Sequence, residues 1–174
     1  MHSRTDDDFM QLAIDQAKIA LYNKWIPVGA IFVRDDAVMT HGRKTGEKHT
    51  HFDHAEHNAC YNALWSRQGP RHLRGVTVYS TLEPCVMCMG MLMTVRVSRI
   101  VYALPDPYGG GSYLVKAPRR SRPERFKSEL PVLVQASEAV ATQVKALMRE
   151  FFETTDERCW QDPENPLVQL VTAR

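Results

Sequence analysis

The sequence predicts a three-layer α/β/α domain built on a five-stranded mixed sheet. Three observations support this fold class. The N-terminal region repeats apolar residues at helical spacing, short β-prone runs alternate with helical segments further on, and 174 residues are enough for one hydrophobic core. We expect residues 1–153 to form this domain and residues 154–174 to form a tail packed on the domain or on a dimer partner.

The first third of the chain predicts a helix, a hairpin and a second helix. Apolar residues recur at helical spacing over residues 9–21, and Thr5 is placed to cap this helix. Two β-prone runs flank the polar turn at residues 34–36 and predict an antiparallel hairpin. A second helix is expected from Ala55 to Arg67, where a Gly-Pro pair follows.

The rest of the chain alternates strands and helices. Three β-prone runs predict strands, at residues 76–80, 98–103 and 130–135. Pro84 is expected in the first turn of a helix that runs to about Arg96, and Ser137 is expected to cap a helix that ends near Phe152. Three consecutive glycines predict a loop at residues 106–112.

The composition indicates a soluble, cytoplasmic protein. No stretch approaches the roughly 18 apolar residues that a membrane span needs, and acidic residues stand where a secretory signal has an apolar run. The formal net charge is only +2, but the segment Lys116–Lys127 holds six basic residues and one acidic residue. This segment is a candidate site for the phosphates of a tRNA partner, and a solvated loop is the alternative.

Cys85 and Cys88 carry most of the functional information. Two thiols at this spacing are typical of a disulfide, a redox couple or a metal site. A reducing cytosol favours metal binding or redox chemistry over a structural disulfide. His54, upstream at an expected helix start, offers a third metal ligand. One histidine and two cysteines leave the fourth position of tetrahedral zinc open for water, as in a catalytic zinc site.

Glu56 follows His54 by two residues, which places it about 200° further around a helix. Its carboxylate is therefore expected to point away from the metal and to carry protons. The combination of His-x-Glu and Pro-Cys-x-x-Cys is a known signature of zinc deaminases. We expect Zn²⁺ at His54, Cys85 and Cys88, a zinc-bound hydroxide as the nucleophile, and Glu56 as the proton shuttle.

With these motifs, the sequence resembles the cytidine deaminase-like superfamily, and within it the branch of tRNA adenosine deaminases and guanine deaminases. The resemblance covers residues 9–152 and rests on five segments: PVGAIFV (27–33), DHAE (53–56), STLEPCVMCMGM (80–91), RVSRIVYA (96–103) and the Gly-Gly-Ser of the loop that ends at Ser112. It implies the cytidine deaminase-like fold, a homodimer, and the same zinc ligands and proton shuttle. It also implies contacts to the base from the backbone near Ala55, Glu83 and Pro84.

One position departs from the pattern of this branch. Lys44 stands where an asparagine usually forms a hydrogen bond with the substrate, so Lys44 is a candidate substrate contact. Asn58, in contrast, is reminiscent of the deoxycytidylate deaminases. The two signals point to different substrates.

The leading hypothesis is a zinc-dependent hydrolytic deaminase that acts on a small-molecule nucleobase or nucleoside, with purines favoured, and releases ammonia. Conversion of adenosine to inosine in tRNA is the first alternative. A deoxycytidylate or cytosine-type deaminase and a non-catalytic zinc-binding partner subunit are further alternatives. Glu56 argues against the non-catalytic subunit, because a chain without catalysis has no need of a proton shuttle.

Overall fold

A computed structural model describes residues 4–46, 51–65 and 72–173, and a five-stranded mixed sheet lies at its centre. The strands are β1 (Gly29–Arg34), β2 (Ala37–Arg43), β3 (Thr77–Leu82), β4 (Arg99–Leu104) and β5 (Val132–Gln135). Their order in the sheet is β2-β1-β3-β4-β5. β1 is antiparallel to β2 and β3, whereas β3, β4 and β5 are parallel. The predicted mixed sheet is confirmed.

Helices cover both faces of the sheet. They are α1 (Asp6–Tyr22), α2 (Ala55–Leu64), α3 (Val86–Thr94), α4 (Tyr113–Lys116), α5 (Glu138–Thr154), α6 (Arg158–Gln161) and α7 (Pro166–Thr172). α1, α5 and α7 belong to the core on one face, and α2 and α3 pack together on the other. This arrangement confirms the three-layer α/β/α class. None of the helices in the described ranges is both long and apolar enough to cross a membrane.

Side-chain caps fix the starts of the two longest helices. The Thr5 hydroxyl accepts a hydrogen bond from the backbone N–H of Asp8 at 3.2 Å, and the Thr5 N–H donates to the Asp8 carboxylate at 2.8 Å. This reciprocal pair satisfies two donors that the helix itself leaves free. Ser137 caps α5 in the same way by accepting from the N–H of Val140 at 3.3 Å. Both predicted caps are confirmed.

The start of α3 differs from the prediction by two residues. Pro84 was expected in the first helical turn, but α3 begins at Val86, with Cys85 as its extended N-cap residue. The cause is a contact distant in sequence. Cys85 pairs with Gly110 in an isolated β-bridge, and the Pro84 carbonyl accepts a hydrogen bond from the N–H of Gly111 at 2.9 Å. These bonds hold residues 84–85 extended.

The second helix also differs at its end. α2 ends at Leu64, and Trp65 is its C-cap residue. The predicted end at Arg67 lies outside the described residues.

A close approach of α2 to β2 positions the start of α2. A Cβ atom added to Gly42 in β2 would lie 2.2 Å from the carbonyl oxygen of Ala55 and 2.5 Å from the nitrogen of Ala59. Real Cβ contacts are never this short, so only glycine permits this spacing. The first turn of α2, with His54 directly before it, is thereby held against the sheet.

The segment after α5 packs on its own domain. Leu167 and Val171 of α7 are buried in the core that α1 and α5 also form. The Asn165 side chain caps α7 and also donates to the carbonyl of Cys159 at 2.9 Å, which ties α6 to α7. The tail is therefore a folded part of the α1–α5 face.

Candidate active site

Three metal-ligand atoms converge where α2 and α3 begin. His54 is the N-cap residue of α2, Cys85 is the N-cap residue of α3, and Cys88 lies in the first turn of α3. The Nδ1 atom of His54 lies 3.4 Å from the sulfur of Cys85 and 3.7 Å from the sulfur of Cys88. All three atoms lie within 4.8 Å of one another. In the described part of the chain this is the one group of at least three such residues.

These distances fit tetrahedral zinc. Bonds of about 2.3 Å to sulfur and about 2.0 Å to nitrogen place tetrahedral sulfur and nitrogen ligands about 3.5 Å apart. The observed separations of 3.4 and 3.7 Å agree with this value. The set of one imidazole and two thiolates is also the donor chemistry that zinc prefers. His54, Cys85 and Cys88 therefore fit a zinc ion with one coordination position left open.

The hydrogen bond between the thiols of Cys85 and Cys88 shifts their pKa values in opposite directions. The hydrogen bond from Cys88 lowers the pKa of the Cys85 thiol to about 4, and the bond with His54 acts in the same direction. The pKa of Cys88 is raised, chiefly because its proton is shared with Cys85 and also because it is buried.

Glu56 lies beside the metal ligands but outside their group. Its side chain is buried, with 3% of the residue exposed, and its Oε1 atom accepts a hydrogen bond from the hydroxyl of Ser80 at 2.8 Å. Burial raises the pKa of the Glu56 carboxyl, and the bond from Ser80 partly opposes this effect. A carboxyl that is held in one position and has a raised pKa is suited to both accepting and donating a proton.

Glu83 anchors the glycine-rich loop after β4. Its carboxylate accepts hydrogen bonds from the backbone N–H groups of Asp106, at 3.1 Å, and Ser112, at 2.9 Å. A Cβ atom at Gly110 would lie 2.6 Å from this carboxylate, which explains one of the three glycines. The loop is thereby held against Cys85.

A cleft of about 630 Å³ opens over the converging ligands. Its volume is in the range of small-molecule sites. Of the predicted substrate contacts, Lys44, Ala55 and Glu83 line the cleft. Pro84 does not line it, and its carbonyl accepts the hydrogen bond from the N–H of Gly111.

Lys44 enters the cleft from the end of β2. Its backbone N–H donates to the carbonyl of Val28 at 2.8 Å. The Asn58 side chain donates to the carbonyl of Arg43 at 3.0 Å, so Asn58 supports the backbone directly before Lys44. The pKa of His54 is raised chiefly by its bond with Cys85, while the positive charge of Lys44 acts in the opposite direction.

Several residues of the site were not predicted from the sequence. Ser80 lies within the STLEPC segment, but no local pattern predicted its hydrogen bond to Glu56. His51 and Asp106 line the cleft from loops. Trp160 lines it from the tail, which the sequence predicted to pack on the domain or on a dimer partner without placing this side chain in its own cleft. The tail carried one usable signal, a tryptophan among polar residues, but its position depends on contacts distant in sequence.

The fold and the site together define the class of zinc-binding deaminases. A mixed five-stranded sheet carries one histidine and two cysteines at adjoining helix starts, with a buried glutamate beside them. The family model of the cytidine and deoxycytidylate deaminase zinc-binding region matches residues 3–104. The chain belongs to this family, which confirms the resemblance and the expected zinc cofactor.

Curated relatives are similar over different lengths. A tRNA-specific adenosine deaminase of Agrobacterium fabrum is 36% identical over 103 residues, which are 59% of this chain and 67% of that protein. One of Aquifex aeolicus is 30% identical over 148 residues, which are 83% of this chain and 92% of that protein. For the relatives matched over 103 to 108 residues, the match spans between 60% and 67% of the relative's own length.

A solved structure supports the same grouping. It comes from a study of A-to-I editing by tRNA:A34 deaminases at the wobble position of transfer RNA. Its TM-score is 0.62 at 29% identity, and the match covers 75% of this chain and 98% of that chain. These relatives favour the tRNA alternative over the leading hypothesis of a free purine base or nucleoside.

Proposed function

We propose that the protein is a zinc-dependent deaminase that converts adenosine to inosine in tRNA. The observation that carries the deaminase chemistry is the convergence of the ligand atoms of His54, Cys85 and Cys88 at the cleft that His54, Cys85 and the buried Glu56 line. The names of the relatives at 30% to 36% identity support tRNA as the substrate.

Each site residue has a distinct role in this proposal. His54, Cys85 and Cys88 would hold the zinc. When bound there, zinc lowers the pKa of a coordinated water to near neutral and so supplies a nucleophile. The walls of the cleft, and not the metal, orient the base.

Glu56 moves the protons of the reaction. Hydrolytic deamination adds the oxygen of water to C6 of adenine, breaks the bond between C6 and the amino nitrogen, and releases ammonia. Glu56 accepts a proton as the water attacks and donates a proton to the departing nitrogen. The bond from Ser80 holds the carboxyl in one position throughout, since Ser80 lies in the buried strand β3.

Lys44, Ala55 and Glu83 contribute to substrate binding. The ammonium group of Lys44 can donate hydrogen bonds to acceptor atoms of the base or sugar or to a phosphate. Ala55 is the first residue of α2, where backbone N–H groups have no partner within the helix. Glu83 acts through the loop that it anchors, because its carboxylate is used by Asp106 and Ser112.

The basic segment Lys116–Lys127 supplies charges for tRNA phosphates. Arg119 and Arg120 are exposed, and within the described ranges their side chains have no hydrogen-bond or ion-pair partner. Arg122, in contrast, donates to the carbonyls of Val115 and Ala117, and Lys127 pairs with Glu124. Arg119 and Arg120, together with the exposed Lys116, are thus the charges of this segment available to an RNA.

A homodimer is part of the proposal. The start of α3 and the end of α2 expose apolar side chains: Val86 is 44% exposed, Tyr61 45% and Trp65 72%. Tyr61 and Trp65 stack at 4.6 Å between ring centroids, so the end of α2 presents aromatic surface to a partner. Light scattering at several protein concentrations gives the oligomeric state.

Zinc content and inosine formation, measured on one preparation, test the proposed function. The substrates are a tRNA transcript with adenosine at the wobble position, the same transcript with guanosine there, and free adenosine, guanine, cytosine and deoxycytidylate. We expect about one zinc per chain and inosine only in the first transcript, with Glu56→Gln inactive. Ammonia from a free compound and none from tRNA would overturn the tRNA assignment. No product from any substrate, with zinc bound, would indicate a non-catalytic subunit.

A further inference from the structure

The tail forms one wall of the cleft that holds the candidate zinc ligands. Four of its residues line the cleft: Glu157, Cys159, Trp160 and Leu167. They lie well beyond residues 3–104, which the family model matches. The wall is therefore a feature of this chain for which the family model assigns no role.

Packing holds Trp160 in a defined orientation. Its indole stacks on Phe152 with 5.7 Å between ring centroids and 20° between planes, and it meets the edge of Tyr108 at 5.9 Å and 64°. Its Nε1–H donates to the carboxylate of Glu157 at 3.0 Å. An aromatic side chain that is already ordered loses little conformational entropy when a ligand binds against it.

The wall is also fixed to the core. The Asn165 side chain bonds to the carbonyl of Cys159 at 2.9 Å, and Leu167, two residues further on, is 1% exposed. Arg149 of α5 donates to the carbonyl of Val171 at 3.0 Å. Trp160 therefore belongs to a segment that these contacts fix to the core.

The chemistry of this wall suits a nucleobase. Trp160 and Tyr108 offer aromatic surface, on which unstacked bases of RNA bind. Glu157 and Asp106 also line the cleft and are acidic, so they repel phosphates and can accept hydrogen bonds from amino groups of a base. The basic residues Arg119 and Arg120 lie outside the cleft lining.

We propose that Trp160 is a substrate-positioning residue that packs against a base of the bound substrate, so that the tail selects what enters the cleft. This inference rests on the proposed function for its reaction class, deamination of a nucleobase. It does not require that the substrate be tRNA. Stacking of one base on an aromatic side chain predicts that loss of Trp160 raises KM by about 5-fold to 100-fold.

Steady-state kinetics of Trp160→Ala and Trp160→Phe test this role, on whichever compound the wild-type enzyme deaminates. We expect KM to rise in Trp160→Ala while kcat changes less than about threefold, because stacking binds ground state and transition state alike. Trp160→Phe should restore most of the affinity. Tyr22→Ala is the control, since Tyr22, an aromatic residue of α1, is exposed and does not line the cleft.

A second readout separates contact with substrate from structural support. In the variant Trp25→Phe/Trp65→Phe, Trp160 is the only tryptophan, and its fluorescence should change on substrate binding in step with occupancy. Unchanged KM in Trp160→Ala, or unchanged fluorescence at saturation, would overturn the proposal. A wild-type enzyme that deaminates free bases and not tRNA would overturn the proposed function and leave the Trp160 test intact.

Discussion

The hydroxyl of Ser80 donates a hydrogen bond to Oε1 of Glu56 at 2.8 Å, and both residues are buried. Ser80 belongs to β3 and Glu56 to α2, so this bond joins the sheet to the helix that follows His54. The tertiary structure thereby fixes the orientation of the Glu56 carboxyl. The reaction geometry therefore depends on the sheet as well as on the metal ligands.

Glu56→Gln should abolish most of the activity and leave zinc binding intact. The amide keeps the size of the side chain but cannot carry a proton, so kcat should fall by about 10²-fold to 10⁴-fold. Ser80→Ala should cost less, because the carboxyl remains and only its position is loosened. Inosine formation and zinc content measured on both variants check this order. Equal losses in the two variants would contradict it.

Gly42→Ala should disturb the site from a distance. The new methyl group overlaps the backbone of α2 at Ala55 and Ala59, so we expect a destabilisation of about 1–3 kcal/mol and weaker zinc binding. Gly90→Ala in α3 is the matched control, because its Cβ meets nothing within 4 Å, and it should stabilise the helix by about 0.5–1 kcal/mol. Urea denaturation of both variants measures the difference.

Cys88→Ala should lose zinc, and Cys60→Ala should keep it. Cys88 is one of three converging ligands, whereas burial raises the pKa of Cys60 to about 11 and keeps it a neutral thiol. The zinc site joins the starts of α2 and α3, so a chelator should lower the melting temperature of Cys60→Ala and have little effect on Cys88→Ala. Zinc retained in Cys88→Ala at wild-type affinity would contradict the ligand assignment.

Acid should weaken the contact between α1 and β4. Asp6 accepts hydrogen bonds from Arg99 at 2.7 and 2.5 Å and from the hydroxyl of Tyr79 at 2.8 Å. The bond with Arg99 is the main reason that the pKa of Asp6 is lowered. A carboxyl with a lowered pKa in the folded state stabilises the protein above its unfolded pKa of about 3.9, and this effect is lost as pH falls through the folded value.

Asp6→Asn should therefore lower the melting temperature at pH 7, and its difference from wild type should shrink below about pH 4. Asp15→Asn is the control, because the pair of Asp15 with Lys18 lies on the surface of α1. Thermal denaturation between pH 2.5 and pH 7 measures both differences. A difference for Asp6→Asn that stays constant over this range would show that its charge has no part in stability.

Removal of Arg119 and Arg120 should weaken tRNA binding in a salt-dependent manner. If each contacts one phosphate, the double alanine variant should reduce the slope of log KM against log salt by about 1.5 to 2. Arg74→Ala is the control, since Arg74 is paired with Glu129 at 2.8 Å. An unchanged slope in the double variant would place the RNA on another surface.

Local patterns predicted much of the fold. The spacing of apolar residues placed α1, and Thr5 and Ser137 were correctly expected as caps, because capping involves only neighbouring residues. The predicted start of α3 was wrong by two residues, because Cys85 is held extended by its bridge to Gly110. A bridge of this kind leaves no trace in the local sequence.

The sequence alone determined the types of residue that the candidate site contains. Histidine, glutamate and two cysteines at motif spacing predict zinc chemistry because ligand type and helix periodicity are local properties. Only the tertiary structure brought Ser80 to Glu56, used Asn58 to support the backbone before Lys44, and placed Trp160 in the cleft wall. Those positions follow from packing between segments far apart in the chain, which no local pattern encodes.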